Sequence, residues 1–312
     1  MPRLLLAALA VAVLAVAAPS CTRTERDAAM TQTEEPPAST PVSTGRVTVN
    51  GVRLYYEIHG EGEPLVMLHG GVNPSDFFGA PLAEMAKTQK VIAIHMRGHG
   101  FSTDADAPWT YEQMADDVAA AMGELGIGKA DFMGWSLGAG VALQTAIRHP
   151  EKVDKLVAIS MNFRGDANFP EIRAEFEAMP GKAAEYAQGV QQSPLAELYP
   201  DVDWERMFRK TGEMNDPNHD WSAGVAGIRS PTLLMFADAD MMPPEHMVEF
   251  YRLLGGGTRD AGIDGSKRPT PNQMAIIPGT THYDLMLKAT TVATDHAKAF
   301  LADEPATPAA SG

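Results

Sequence analysis

A single cysteine in 312 residues leaves this chain without any internal disulfide. Cations are also scarce, with 25 Lys and Arg against 40 Asp and Glu and a formal charge of −15. A nucleic-acid groove needs clustered Lys and Arg to displace counterions, so the balance argues against that class of partner. The most apolar run, Leu4 to Ala18, is too short for a comfortable membrane span. What remains is an ordinary globular composition, 45% hydrophobic, and enough length for one large domain or two small ones around a sizeable core.

Arg3 precedes that apolar run and small residues follow it, which is the arrangement of an export signal over residues 1–20. Cys21 stands directly after Ala18-Pro19-Ser20, and the segment resembles a bacterial lipoprotein signal whose cysteine receives the lipid. Pro19 and Ala18 depart from that pattern. Cleavage after Ala15-Val16-Ala17 is the rival, and would release a soluble protein that keeps Cys21 as a free thiol. Residues 21–44 are rich in Thr, Pro, Glu, Ser and Ala without an apolar period, and read as a disordered tether for a domain standing off a membrane. Residues 303–312 read as a disordered tail, which leaves 45–302 for the folded domain.

Order is expected to begin at Arg46 to Val49. Asn50-Gly51 then joins this run to Val52–Ile58 as a hairpin, since both turn positions tolerate positive φ. Short apolar runs follow at Leu65–Leu68, Val91–Ile94, Ala130–Met133, Leu156–Ile159, Thr232–Phe236 and Met274–Ile277. Helical patterns separate most of them; one starts at Thr110-Tyr111-Glu112-Gln113, which fits a capping box. Strand alternating with helix predicts an α/β domain with a mostly parallel sheet covered on both faces. Residues 161–226 break the alternation with weak helical patterns and apolar anchors such as Ile172, Phe176, Met179, Leu195 and Phe208, and suggest a small helical cap. Residues 255–271, glycine-rich and polar, are either a flap over the site or a surface excursion, and the surface is the favoured reading.

Gly134-Trp135-Ser136-Leu137-Gly138 lies where the Ala130–Met133 strand turns into a helix beginning at Leu137. So abrupt a turn strains the serine backbone and would present its Oγ as a nucleophile, with glycines removing the side chains that would collide. The string alone arises by chance in roughly one such chain in ten, so its strand and helix flanks carry the weight. A serine attacks only with a base beside it, and that base needs an acid to orient it. His282 follows the last strand and is the best-placed histidine. Asp240 and Asp238 both follow Thr232–Ala237; Asp240 is preferred because it stands four residues before Pro244, and Asp238 is the alternative, otherwise a turn cap.

Oxyanion donors are expected from the backbone N–H groups of Leu137 and of Gly71 in His69-Gly70-Gly71, with His69 itself a hydrogen-bonded turn residue. Trp135, Met161 and Phe163 are placed in the substrate pocket. His95 and His99 have a spacing suggestive of metal binding, but they lie about a turn rather than on a helix face, so no metal ligands and no cofactor are assigned.

From about Val47 to Leu301 the chain resembles an α/β-hydrolase, through His69-Gly70-Gly71, Arg97-Gly98-His99-Gly100-Phe101-Ser102, the Ser136 elbow, the acid after the next-to-last strand and His282. The resemblance implies eight strands with only the second antiparallel, a helical cap after the sixth, and the order Ser, Asp, His. His95 departs from it, since Asp is common there, and so does the 255–271 insertion. The resulting expectation is an exported serine hydrolase acting on a small ester or lactone through an acyl-enzyme, without a cofactor. Carbon–carbon bond hydrolysis and cofactor-free perhydrolysis are runners-up on the same triad, and a non-catalytic surface-binding lipoprotein is the rival of another class. The oligomeric state is not legible.

Overall fold

The computed structural model describes residues 40–72, 74 and 78–303. The expected export signal at 1–20, Cys21, the tether as far as residue 39 and the tail from residue 304 lie outside the described residues.

Asn50 and Gly51 take φ values of 46° and 80°, the conformation a two-residue hairpin requires. They join β1 (Ser43–Val49) to β2 (Val52–His59), paired antiparallel from Val49↔Val52 out to Ser43↔Ile58. Order therefore starts before Arg46, and before the residue 45 expected from composition. Ser43 and Thr44, assigned to the tether, are strand residues, because a backbone ladder extends without help from apolar side chains.

The remaining strands are β3 (Glu63–Leu68), β4 (Gln89–Ile94), β5 (Ala130–Trp135), β6 (Val153–Ile159), β7 (Thr232–Ala239) and β8 (Gln273–Thr281). Their order across the sheet is β1-β2-β4-β3-β5-β6-β7-β8. β2 runs antiparallel to both neighbours and every other pair is parallel. This is the eight-stranded, mostly parallel sheet with a single antiparallel strand in second place that the sequence led us to expect.

Helices α1 (Gly79–Met85), α2 (Tyr111–Glu124), α3 (Leu137–Arg148), α8 (Pro244–Leu253), α9 (Asp284–Leu287) and α10 (Thr290–Ala302) flank the sheet. Thr110 Oγ1 accepts the N–H of Gln113 at 3.0 Å and so caps α2. The pleat splits the central strands between two cores. Val66, Leu68 and Phe132 pack with α2 and α3, whereas Leu65, Met67 and Met133 face α1 and α10. At the C-terminal end Lys155 Nζ donates to the carbonyls of Leu301 and Asp303. Asp303, expected to open the disordered tail, is thereby tied to the sheet.

Between β6 and β7 the chain forms α4 (Pro170–Gln191), α5 (Pro194–Leu198), α6 (Trp204–Met214) and α7 (Ser222–Ala226). α4 and α6 pack together, with the rings of Tyr186 and Phe208 5.2 Å apart. α6 is fixed to the body of the molecule by a buried cation. Lys210 Nζ donates to Asp104 Oδ2 at 2.7 Å and to the carbonyls of Ala105 and Ala107, and Arg206 Nε reaches the same carboxylate at 2.7 Å.

Residues 255–271 form neither helix nor strand and are mostly exposed. The base of the excursion is closed by Asn272, whose amide donates to Leu254 O at 2.6 Å while its Oδ1 accepts Thr232 N–H at 2.7 Å. None of its residues reaches the cavity described next.

Candidate active site

Parallel strands deliver their carboxyl ends to one edge of a sheet, so the loops after β5, β6, β7 and β8 converge there. Ser136 follows β5 with φ 53° and ψ −118°. The two glycines of its motif are required by close approach: a Cβ on Gly134 would lie 2.3 Å from Gly138 O, and one on Gly138 only 2.0 Å from Leu68 O. The serine is therefore squeezed into left-handed backbone between a strand and a helix that nearly touch.

His282 follows β8 and bridges the other two groups. Its Nε2 lies 3.1 Å from Ser136 Oγ and its Nδ1 lies 2.8 Å from Asp240 Oδ1. Asp240 is buried, and burial alone would oppose its ionisation. The neighbouring His282, together with hydrogen bonds from His282, Ser160 and the Met241 N–H, outweighs that cost and holds the carboxyl below its ordinary range. Asp238, the alternative acid, accepts the N–H groups of Gly279 and Thr280, both at 2.9 Å, and so holds the end of β8 that leads into His282.

Gly71 and Leu137 both border the cavity beside Ser136, and Leu137 opens α3, where backbone N–H groups lack intrahelical partners. His69 Nδ1 donates to Gly70 O at 2.7 Å and its Nε2 accepts Met96 N–H at 3.0 Å. Both ring nitrogens are thus spent on shaping the turn. His95 accepts the Phe101 N–H at 3.1 Å and stacks on that ring, 5.7 Å between centroids, so histidine holds the turn where aspartate is common.

A cavity of about 650 Å³ opens above Ser136. Trp135 and Met161, two of the three residues assigned to a substrate pocket, line it. Phe163 does not. It is fully buried behind the wall, stacked on His246 at 4.3 Å and edge-on to Phe250 at 5.0 Å, because the chain has already turned down onto α8 by that point. The roof comes from the helices between β6 and β7, through Ile172, Phe176, Met179, Val190, Leu195 and Phe208. Most of these are among the apolar anchors noted in the sequence, but their role as cavity wall was not. Among the described residues that line the cavity there is no Lys or Arg; Glu171 and Glu175 are its acids besides Asp240, and Glu175 accepts the hydroxyl of Tyr186.

One residue of the site escaped the sequence reading. Ser160 directly follows β6 with φ 53°, lines the cavity, and donates from Oγ to Asp240 Oδ2 at 2.6 Å. The only signal for it was its place immediately after an apolar strand run.

Residues 63–200 match the sequence profile of the alpha/beta hydrolase fold. That span includes Gly71 and Ser136 and stops short of Asp240 and His282. The chain is 37% identical over 125 residues to 2-hydroxymuconate semialdehyde hydrolase of Pseudomonas sp. (strain CF600), covering 39% of this chain and 44% of that protein. It is 38% identical over 136 residues to the putative carbamate hydrolase RutD of Caulobacter vibrioides, covering 42% and 48%. The chain thus spans somewhat under half the length of these curated relatives. The crystal structure of the enol-lactonase from Burkholderia xenovorans LB400 superposes with a TM-score of 0.65 at 20% identity, over 83% of this chain and all of that one.

Proposed function

We propose that this chain, whose fold is that of an α/β-hydrolase, is a serine hydrolase that cleaves a neutral carboxylic ester or lactone. The observation that carries the reading is the continuous chain of short contacts from Ser136 Oγ through His282 to Asp240 at the floor of an apolar cavity.

In this reading Ser136 Oγ adds to the substrate carbonyl carbon while its proton passes to His282 Nε2. Asp240 holds the imidazole by Nδ1 and stabilises the imidazolium that forms. The carbonyl electron pair moves onto oxygen, where the N–H groups of Leu137 and Gly71 receive it. Collapse expels the alkoxide, which takes the proton from His282 and leaves an acyl-enzyme. Water, deprotonated by the same histidine, then releases the acid and restores the serine. No cofactor is called on.

Carbon–carbon bond hydrolysis is the second reading, favoured by the likeness to 2-hydroxymuconate semialdehyde hydrolase. A muconate is a carboxylate, and an anion of that kind is best held by Arg or Lys. This cavity offers Glu171 and Glu175 instead, which supports an uncharged substrate. Perhydrolysis would use the same triad and requires only peroxide in place of water.

The test is labelling by a fluorophosphonate probe followed by turnover of uncharged acyl esters, lactones and a carboxylate-bearing vinylogous diketone. An adduct on Ser136, absent from Ser136→Ala, with ester turnover well above diketone cleavage is expected. A wild-type protein without an adduct would favour a binding role, and preferred cleavage of the diketone would favour the second reading.

Export rests on the sequence of residues 1–21 alone, and we propose a lipid anchor at Cys21. Cys21→Ala should move the protein out of the membrane fraction; retention there would overturn the anchor.

A further inference from the structure

We propose that Ser160 is a positioning residue for the reaction, its hydroxyl fixing the orientation of the Asp240 carboxylate toward His282. The inference rests on the triad assignment above.

Ser160 holds φ 53°, left-handed backbone that few residues other than glycine, asparagine and aspartate adopt readily. Strain of this kind persists where the surroundings over-determine it. Here the backbone N–H donates to Met235 O in β7 at 2.8 Å, and the side chain is carried toward the loop that follows β7. Its Oγ lies 2.6 Å from Asp240 Oδ2, a short contact of the charge-assisted kind. The residue is 2% exposed, so water does not compete for the carboxylate from that side.

The four donors to Asp240 divide by origin. Oδ1 receives His282 Nδ1 at 2.8 Å and the Met241 N–H at 2.9 Å. Oδ2 receives the Ala237 N–H at 3.1 Å and Ser160 Oγ. Met241 and Ala237 are Asp240's own near neighbours in the chain and move with it. Besides His282 itself, which follows β8, only Ser160 among these donors ties the carboxylate to a different strand, β6. Without that hydroxyl Oδ2 keeps only the longer bond from the Ala237 N–H at 3.1 Å, and the plane that sets Oδ1 in line with Nδ1 is held less firmly. The anion also loses a donor, which makes it a stronger base toward the imidazolium proton.

Two variants separate hydroxyl from backbone. Ser160→Ala keeps the strained φ and removes the donor; Ser160→Gly removes the donor and relieves the strain. Both should lower kcat about tenfold or more with KM changed less than about threefold, slow fluorophosphonate labelling of Ser136 in proportion, and move the acidic limb of the kcat/KM profile to higher pH. Ser160→Gly should melt at a higher temperature than Ser160→Ala, so that activity and stability part company. A Ser160→Gly variant with wild-type kcat and an unmoved acidic limb would overturn the assignment, as would a limb that moves down. If the wild-type protein itself takes no label at Ser136, the triad reading falls instead; labelled wild type with unaltered variants removes only the role of Ser160.

Discussion

Ser136 and Ser160 share one unusual backbone angle: each has φ 53°, and each immediately follows one of two adjacent parallel strands, β5 and β6. The N–H of each donates to the neighbouring strand, Ser136 to Ile159 O and Ser160 to Met235 O, both at 2.8 Å. The same turn chemistry thus lifts two hydroxyls from the sheet edge, one beside the imidazole of His282 and one beside the carboxylate that supports it.

The two candidate acids make opposite predictions. Asp240 touches His282, whereas the side chain of Asp238 accepts backbone N–H groups at the end of β8. Asp240→Asn should therefore lower kcat by on the order of 10³–10⁴, since an amide donates to Nδ1 and selects the wrong tautomer. Asp238→Asn should stay within about tenfold of wild type. Steady-state turnover of an ester that the wild type accepts decides between them, and the reverse ranking would move the acid to Asp238.

Gly138 is a question of space. A Cβ there meets the Leu68 carbonyl at 2.0 Å, and neither strand nor helix can retreat without opening the sheet. Gly138→Ala should cost a few kcal/mol of folding stability and displace Ser136 as well. Thermal denaturation monitored by circular dichroism should show a clear fall in Tm, accompanied by slower labelling of the serine.

How much of this was legible in sequence follows from the range of the forces involved. Six of the eight strands stood out as short apolar runs and the first two through the Asn50-Gly51 turn that joins them, and Ser136 because its glycines are a local necessity. Ser43 and Thr44 were missed because ladder pairing is set by the partner strand, not by their side chains. Phe163 was misplaced and Ser160 overlooked for a related reason. Where a side chain points after a strand end depends on a local φ for Ser160 and on packing against α8 for Phe163, and no composition or period records either. The anchors Ile172, Phe176 and Phe208 were visible, but which faces of α4 and α6 look down on Ser136 is fixed by tertiary packing.

The Lys210–Asp104 pair predicts an asymmetry. Removing the carboxylate leaves Lys210, 3% exposed at its side chain, with two carbonyls and the face of Trp109 but no anion. Removing the lysine leaves Asp104 still paired with Arg206 and hydrogen-bonded by Trp109 Nε1 at 2.8 Å. Asp104→Asn should thus be the more destabilising change, by roughly 3 kcal/mol, with Lys210→Met markedly milder. Because α6 carries Phe208 and Thr211 into the cavity wall, loosening it should raise KM more than it lowers kcat. Equal destabilisation by the two variants in urea titrations would contradict this account.

Acid should unfold the protein through histidines that the mechanism does not use. Burial, opposed in part by Glu57 and reinforced by His99, lowers His95 to about 3. Burial likewise lowers His99 and His246 to about 4 each. In the unfolded chain all three regain the ordinary value near 6.5, so between that pH and about 4 the unfolded state binds more protons than the folded one. Stability is therefore fully present above 6.5 and is lost as pH falls toward the folded values. The slope approaches about 1.4 kcal/mol per pH unit for each histidine. Urea midpoints should be flat from pH 8 to 7 and fall steeply from 6 to 4. Replacing His246, which faces Phe163, Phe250 and Glu249, by Gln should lower stability at pH 7 through lost stacking yet make the acid slope shallower without abolishing it, since burial also lowers His69 and His219. An unchanged slope would mean that this ring does not report on acid unfolding.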